Sequence, residues 1–352
     1  MIQRLLCLLA ICYAAQALRA QTYTNPVVRD ANVPDPGVIL YNGAYYAVTT
    51  ADVGNADKYP IRMSTDLVNW KQVGYVFPQA YRPQWVGNDY WAPEIHIVNN
   101  KFHVYYTGRE ASSGILCIGV ATSDSILGPY IDKGSPLVKN LTVGSIDSHV
   151  FKEGDVSYLI WKADGNGNRP PIPTPIWAQP LTADGLGLTG EKVQLITNDR
   201  DWEHGLVEGP WVIKRQDYYY LFFSGGCYDD ATYAVGVARS KSLLGPYTKQ
   251  PNPILHSSNQ FTGPGHCSVV PAANNNPGKF IMVYHSWLPA SSKHLGHGPN
   301  RLLLVDEIKW TDDNWPYITG DMPSYTPQPI PVSSKRPHKR FETDESLLVE
   351  TI

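Results

Sequence analysis

The sequence has little charge. Only 17% of its 352 residues are charged, and 29 Lys and Arg against 32 Asp and Glu leave a formal net charge of −3. Without a basic field there is no footing for a phosphate backbone, so nucleic acid is excluded as a partner. Cysteine is scarce too: the five in the chain fall to Cys117, Cys227 and Cys267 beyond the N-terminal leader. Three thiols form at most one disulfide, so the fold must rest on its core and not on staples. Long apolar runs are lacking except from Leu5 to Ala15, inside "MIQRLLCLLAICYAAQALRA". That run falls short of the ~20 residues a membrane span needs. With an Arg before it and small residues after it, residues 1–20 read as a signal peptide, cleaved after Ala17 or Ala20. The expectation is therefore a secreted, extracellular protein with no membrane partner. Helical periodicity is nearly absent, and neither an H-E-x-x-H zinc motif nor a G-x-S-x-G elbow occurs. "GLGLTG" from Gly185 formally fits a dinucleotide fingerprint, but "EKVQLITND" after it reads as a strand, which leaves a hairpin turn.

Aromatic residues and turn formers are abundant: ten Trp, 22 Tyr, eight Phe, 29 Gly and 29 Pro. That mixture suits many short strands joined by turns. "GVATSDSILGPY" from Gly119 recurs as "GVARSKSLLGPY" from Gly236, and the offset covers two periods of a weaker repeat. Five segments each open on an apolar stretch, turn, and continue as an aromatic-rich strand. Their first residues are Asp35, Ala92, Asp147, Glu208 and His266, spaced by 57, 55, 61 and 58 residues. A period near 58 that holds four strands predicts an all-β, five-bladed β-propeller over residues 21–331. A β-sandwich would not produce five equivalent heads. Residues 332–352 carry a basic cluster followed by an acidic one, with little to bury, and read as a disordered tail. Asn140-Leu141-Thr142 is a glycosylation sequon.

In a propeller the innermost strands run along the axis, so equivalent heads converge on one mouth. Glu208 stands in the apolar stretch "GLVEGPWV", where an unpaired charge would be costly. Convergence with Asp35, Asp147 and His266 explains it: Glu208 faces a cavity, not the core between blades. Crowded carboxylates raise the pKa of at least one of them. One protonated acid beside ionised ones is the division of labour that glycosidic cleavage requires.

The heads "VPDPGV", "GSIDSHVF" and "LVEGPWV", together with "YWAPEIH", "STDLVNW" and "GPGHCSVV", resemble the motifs of glycoside hydrolase family 43 in order and at blade spacing. The resemblance implies a five-bladed propeller that hydrolyses glycosidic bonds with inversion. It implies Asp35 as general base, Glu208 as general acid, and Asp147 as the residue that orients the acid and tunes its pKa. It further implies Trp91 as a wall for the sugar and Arg301 as an arginine reaching back to the site. His266 would stand at the axis, against water or a bound calcium; calcium is an allowed occupant there and no cofactor is required. The Pro-rich "DGNGNRPPIPTPIWAQPL" is expected on the rim near the pocket, with the loop "KHLGHGPN" bordering it. Loop resemblance favours an α-L-arabinofuranosidase or exo-acting arabinanase, acting as a monomer on arabinan or arabinoxylan. A β-xylosidase, a galactan-cleaving enzyme and a non-catalytic carbohydrate-binding propeller are the alternatives.

Overall fold

The computed structural model describes residues 21–272, 278–289 and 300–332. The leader, the tail beyond Val332 and the histidines of "KHLGHGPN" lie outside them. Among the described residues helix is confined to four three-residue 3-10 turns, and strands make up nearly all the regular structure. Five four-stranded antiparallel sheets follow one another in chain order, each a simple meander. They are blade one (37–77), blade two (86–132), blade three (144–196), blade four (207–249) and blade five (262–317). The first strand of each blade packs beside the first strands of its two neighbours, and the fifth returns to the first. The result is the predicted five-bladed β-propeller.

Local chemistry makes each blade. In blade four, "YYYLFFSG" (Tyr218–Gly225) is buried from its second residue onward, and its aromatic faces fill the spaces on both sides of the sheet. The repeated Ser-x-Asp/Ser element ends the third strand of three blades. Ser64, Ser123 and Ser240 each accept the backbone N–H of the residue two positions on, a local turn that competes with further pairing. "GLGLTG" forms the turn between the third and fourth strands of blade three. Cys117, Cys227 and Cys267 are free thiols, so the core alone holds the described fold.

The ring is closed by its ends. Thr22–Tyr23 pairs with Gln328–Pro329. The fully buried Asn25 mimics a strand rung, donating to the Val305 carbonyl (2.9 Å) and accepting the Val305 N–H (3.0 Å).

Every innermost strand begins with the same distortion, and it corrects the register read from the sequence. Asp35, Ala92, Asp147 and His266 adopt left-handed backbone with φ of 53°, 38°, 57° and 46°. In blade four that conformation belongs to Gly209 (φ 56°), not to Glu208. Ladder pairing is shifted across each of these points in blades two to five. Glu208 is thus the counterpart of Trp91 and Ile146, one residue ahead of the other heads. Counting residues between blades could not locate a bulge, which adds a residue without changing the sequence pattern.

A left-handed non-glycine residue costs on the order of 1–3 kcal/mol and persists only where its surroundings fix it. Here the fixing groups repeat. The buried N–H of Ala92 donates to Thr50 Oγ1 (2.8 Å), that of Asp147 to Thr107 Oγ1 (3.2 Å), that of His266 to Ser224 Oγ (2.8 Å), and that of Asp35 to His285 Nδ1 (3.1 Å). Each acceptor lies at the top of the second strand of the preceding blade. Only the junction between blades three and four departs: Lys162 occupies that place, and Gly209 N–H donates instead to Asp147 Oδ2 (3.0 Å).

Candidate active site

The heads line a cavity of about 310 Å³ at one mouth of the axis, near the lower end of the ~300–1,000 Å³ usual for small-molecule sites. All six residues singled out from the sequence lie on it: Asp35, Trp91, Asp147, Glu208, His266 and Arg301. Their two backbone positions divide the work. Asp35, Ala92, Asp147 and His266, in left-handed backbone, come from one row of the ring. Trp91, Ile146 and Glu208, one residue earlier, come from the row above.

Asp35 is surrounded by donors. Arg301 Nη1 lies 2.8 Å from Oδ1, His266 Nδ1 lies 3.6 Å from the same oxygen, and Thr50 Oγ1 donates to Oδ2 at 2.6 Å. Burial by itself would raise the carboxyl's pKa. The Arg301 guanidinium and the His266 imidazole outweigh it and hold Asp35 well below the usual carboxylate range. His285 accepts the Asp35 N–H, so it contributes a lone pair; burial and Arg301 hold it neutral.

Glu208 is clamped at both oxygens. Lys162 Nζ donates to Oε2 (2.9 Å) and Tyr233 OH to Oε1 (2.8 Å). Its charge is therefore paired as well as facing the cavity. Lys162 is 1% exposed and also reaches Asp164 Oδ1 at 3.0 Å. Burial opposes its charge, but Glu208, Asp164 and Asp147 together push its pKa above the ordinary lysine value. Asp147 is shifted opposite to Asp35. Burial, reinforced by the neighbouring charges of Glu208 and Asp35, pushes its carboxyl up to about 7 against the opposing pull of His266 and Lys162. Asp147 thus retains its proton up to near neutrality beside Glu208, while Asp35 stays ionised. His266 is raised despite burial because Asp35, Asp147, Glu208 and Glu94 all face it.

The rim follows the expectation. Asp164 and Asn166 bring the start of the Pro-rich insertion to the cavity. Arg109 sits 6.0 Å from the Trp91 ring, and Tyr228 lies over the Arg301 guanidinium at 5.0 Å. Arg301 makes no surface pair with Asp306 or Glu307: Asp306 takes Tyr284, and Glu307 takes Lys279 and Lys309.

Lys162, Tyr233, Thr50 and His285 were missed by the sequence reading, although a signal exists. Thr50, Thr107, Lys162 and Ser224 each stand 15 residues after the left-handed head of their blade, with Gly209 as the head of blade four.

Two groups among the described residues bring three metal-ligating atoms together. Cys227, Asp229 and Asp230 do so on a partly exposed turn; Glu94, His96 and His149 do so in the channel beneath the carboxylates. Neither offers the six to eight oxygens calcium prefers, and the cation-like His266 points at Asp35. In the channel, His96 Nε2 and His149 Nδ1 each approach Glu94 Oε2 at 2.8 Å, and Val150 N–H donates to His96 Nε2. Burial raises the Glu94 carboxyl. His149 Nε2 is buried with no hydrogen-bond partner among the described residues.

A five-bladed propeller with three acids gathered at one mouth has the make-up of an enzyme that cleaves glycosidic bonds. The chain belongs to Glycosyl hydrolases family 43, whose model matches residues 23–316, and it is a glycoside hydrolase. It is 25% identical to the extracellular endo-alpha-(1->5)-L-arabinanase 2 of Bacillus subtilis (strain 168), over 88% of this chain and 76% of that protein. It is 28% identical to the extracellular exo-alpha-(1->5)-L-arabinofuranosidase of Streptomyces chartreusis, over 78% of this chain and 85% of that one. The crystal structure of a thermostable family-43 glycoside hydrolase superposes with a TM-score of 0.78 at 32% identity, covering 89% of this chain and 100% of the other.

Proposed function

We propose that this enzyme releases arabinose from plant cell-wall polysaccharide, as an α-L-arabinofuranosidase or exo-acting arabinanase working with inversion. The observation that carries the reading is the electrostatic split within one cavity. Asp35 is held ionised, and Asp147, whose charge faces Glu208, holds a proton up to near neutral pH. Glu208 gives its proton to the leaving glycosidic oxygen as the bond to the anomeric carbon breaks. Asp35 takes a proton from the water that attacks the opposite face, so the sugar leaves with inverted configuration. Asp147, bonded to the Gly209 N–H next to the acid, orients Glu208 and shares its proton. Trp91 walls the sugar on the blade-two side, and Arg301 fixes the base. His266 steadies the charge between the acids. Exo action is supported by a cavity walled from several blades by Trp91, Arg109, Asn166 and Tyr228. The leader-like N-terminus and the extracellular relatives support secretion, and the enzyme acts as a monomer.

Glu208→Gln and Asp35→Asn are each expected to lower kcat on arabinan by roughly 10²–10⁴, the usual contribution of a general acid or base, with unchanged thermal unfolding. Full activity in either variant removes the role given to it. Proton NMR of the first-formed product reads the anomer, and retention would refute the water-mediated scheme. Turnover of 4-nitrophenyl xyloside in preference to the arabinofuranoside would transfer the enzyme to the β-xylosidases, and no turnover of any glycoside would favour a binding module.

A further inference from the structure

Four of the five blade junctions place an acceptor beneath the next head: Thr50, Thr107, Ser224 or His285. A lysine has three N–H donors and no lone pair, so Lys162 cannot serve in this way. Two changes follow together. The Gly209 N–H, denied its partner, turns to Asp147 Oδ2 and ties that carboxyl to the start of blade four. The Lys162 ammonium, buried between Asp164 and Glu208, points along the same strand at Glu208 Oε2. One substitution within a five-fold pattern thus couples the two acids and sets a cation on one of them.

We propose that Lys162 is the positioning residue of the acid: it pins the Glu208 carboxyl from below and sets the pH at which the Asp147–Glu208 pair gives up its proton. This rests on the reading of Glu208 as the proton donor. Every charge facing the pair enters the balance. Lys162 and His266 favour loss of the proton, Asp35 and Asp164 favour keeping it, and the buried Tyr233 hydroxyl stays protonated and donates to Glu208. Further out, Arg301 neutralises Asp35, and Glu94 lies behind His266. Removing the Lys162 charge leaves the half-buried Glu208 and Asp164 without their cation. The pair then holds its proton more tightly, and the alkaline limb of the activity profile moves to higher pH.

The test uses the full-length enzyme with Lys162→Met, which keeps the length and removes the charge, and Lys162→Arg, which keeps the charge. Substrates are aryl arabinofuranosides with good (2,4-dinitrophenyl) and poor (phenyl) leaving groups. Lys162→Met is expected to shift the alkaline limb of kcat upward by about one pH unit or more. It should also lose activity on the poor leaving group by roughly 10²-fold, within the range for acid catalysis, with a much smaller loss on the good one. Lys162→Arg should restore the limb towards its original position. An unmoved alkaline limb, or equal losses on both leaving groups, overturns the proposal. If Lys162→Met does not fold, Asp164→Asn and Lys162→Arg decide through the same limb: Asp164→Asn removes an anion and should move it to lower pH, Lys162→Arg should leave it near its original position, and an unmoved limb in Asp164→Asn overturns the proposal. Glu208→Gln, run beside them, keeps the two ideas apart. Equal loss on both leaving groups there means that Glu208 is not the donor, whatever Lys162 does.

Discussion

The junction between blades three and four and the other four junctions are built on one plan and do different things with it. At the four, a neutral side chain accepts a buried N–H and holds a strained head in place. At the fifth, a lysine takes that position, the backbone hydrogen bond is passed to Asp147, and the lysine pairs with both Asp164 and Glu208. The scaffold is repetitive wherever it only has to hold shape. Chemistry enters where one repeat breaks the rule, at a cost met by burying Lys162 among carboxylates.

The comparison can be broken experimentally, beginning with the largest effect. Asp147→Asn keeps an acceptor for Gly209 N–H but removes the shared proton, so kcat on arabinan should fall by about 10² or more while the unfolding curve stays in place. Full activity would place the proton elsewhere. Next comes the pH profile of the unaltered enzyme. Asp147 is raised to about 7, so the proton is present below that pH and lost as pH rises through it. Beyond it kcat should fall about tenfold per unit, the slope of a single ionisation. Asp35 is held below the usual carboxylate range, so the acid limb should lie below the ~3.9 of a free aspartate. A profile flat to pH 9 would dissolve the electrostatic split. The smallest effect belongs to an ordinary junction. Ser224→Ala strands the buried His266 N–H and should cost about 1–3 kcal/mol in chemical denaturation, with both limbs of the pH profile unmoved. A displaced limb would mean that the junctions do not differ in kind.

Much of this was legible in the sequence, for identifiable reasons. The five blades could be read because hairpins of similar size recur at a nearly constant spacing. Asp35, Asp147 and Glu208 stood out because carboxylates in apolar strand heads need a cavity. Glu208 was placed one residue out of phase, since the left-handed bulge at Gly209 leaves no mark in a count of residues. Lys162 passed unnoticed inside "YLIWKAD", where a lysine reads as one alternate position of a strand; only its register against Thr50, Thr107 and Ser224 sets it apart. Arg301 was found through the family resemblance, because nothing local to "NRLLLVDEIKW" points towards Asp35. The two-residue strands that join the ends were invisible, being too short to show a period.

Those ends meet on the boundary between the first and last blades, and that boundary runs through the carboxylate-lined pocket. Asp35 stands on one lip, Arg301 and His285 on the other, and the rungs from Asn25 to Val305 hold the lips together. The same stitching that keeps the torus from springing open therefore fixes how firmly the arginine grips its aspartate, so fraying of either terminus would be felt first as a loosened Arg301–Asp35 pair.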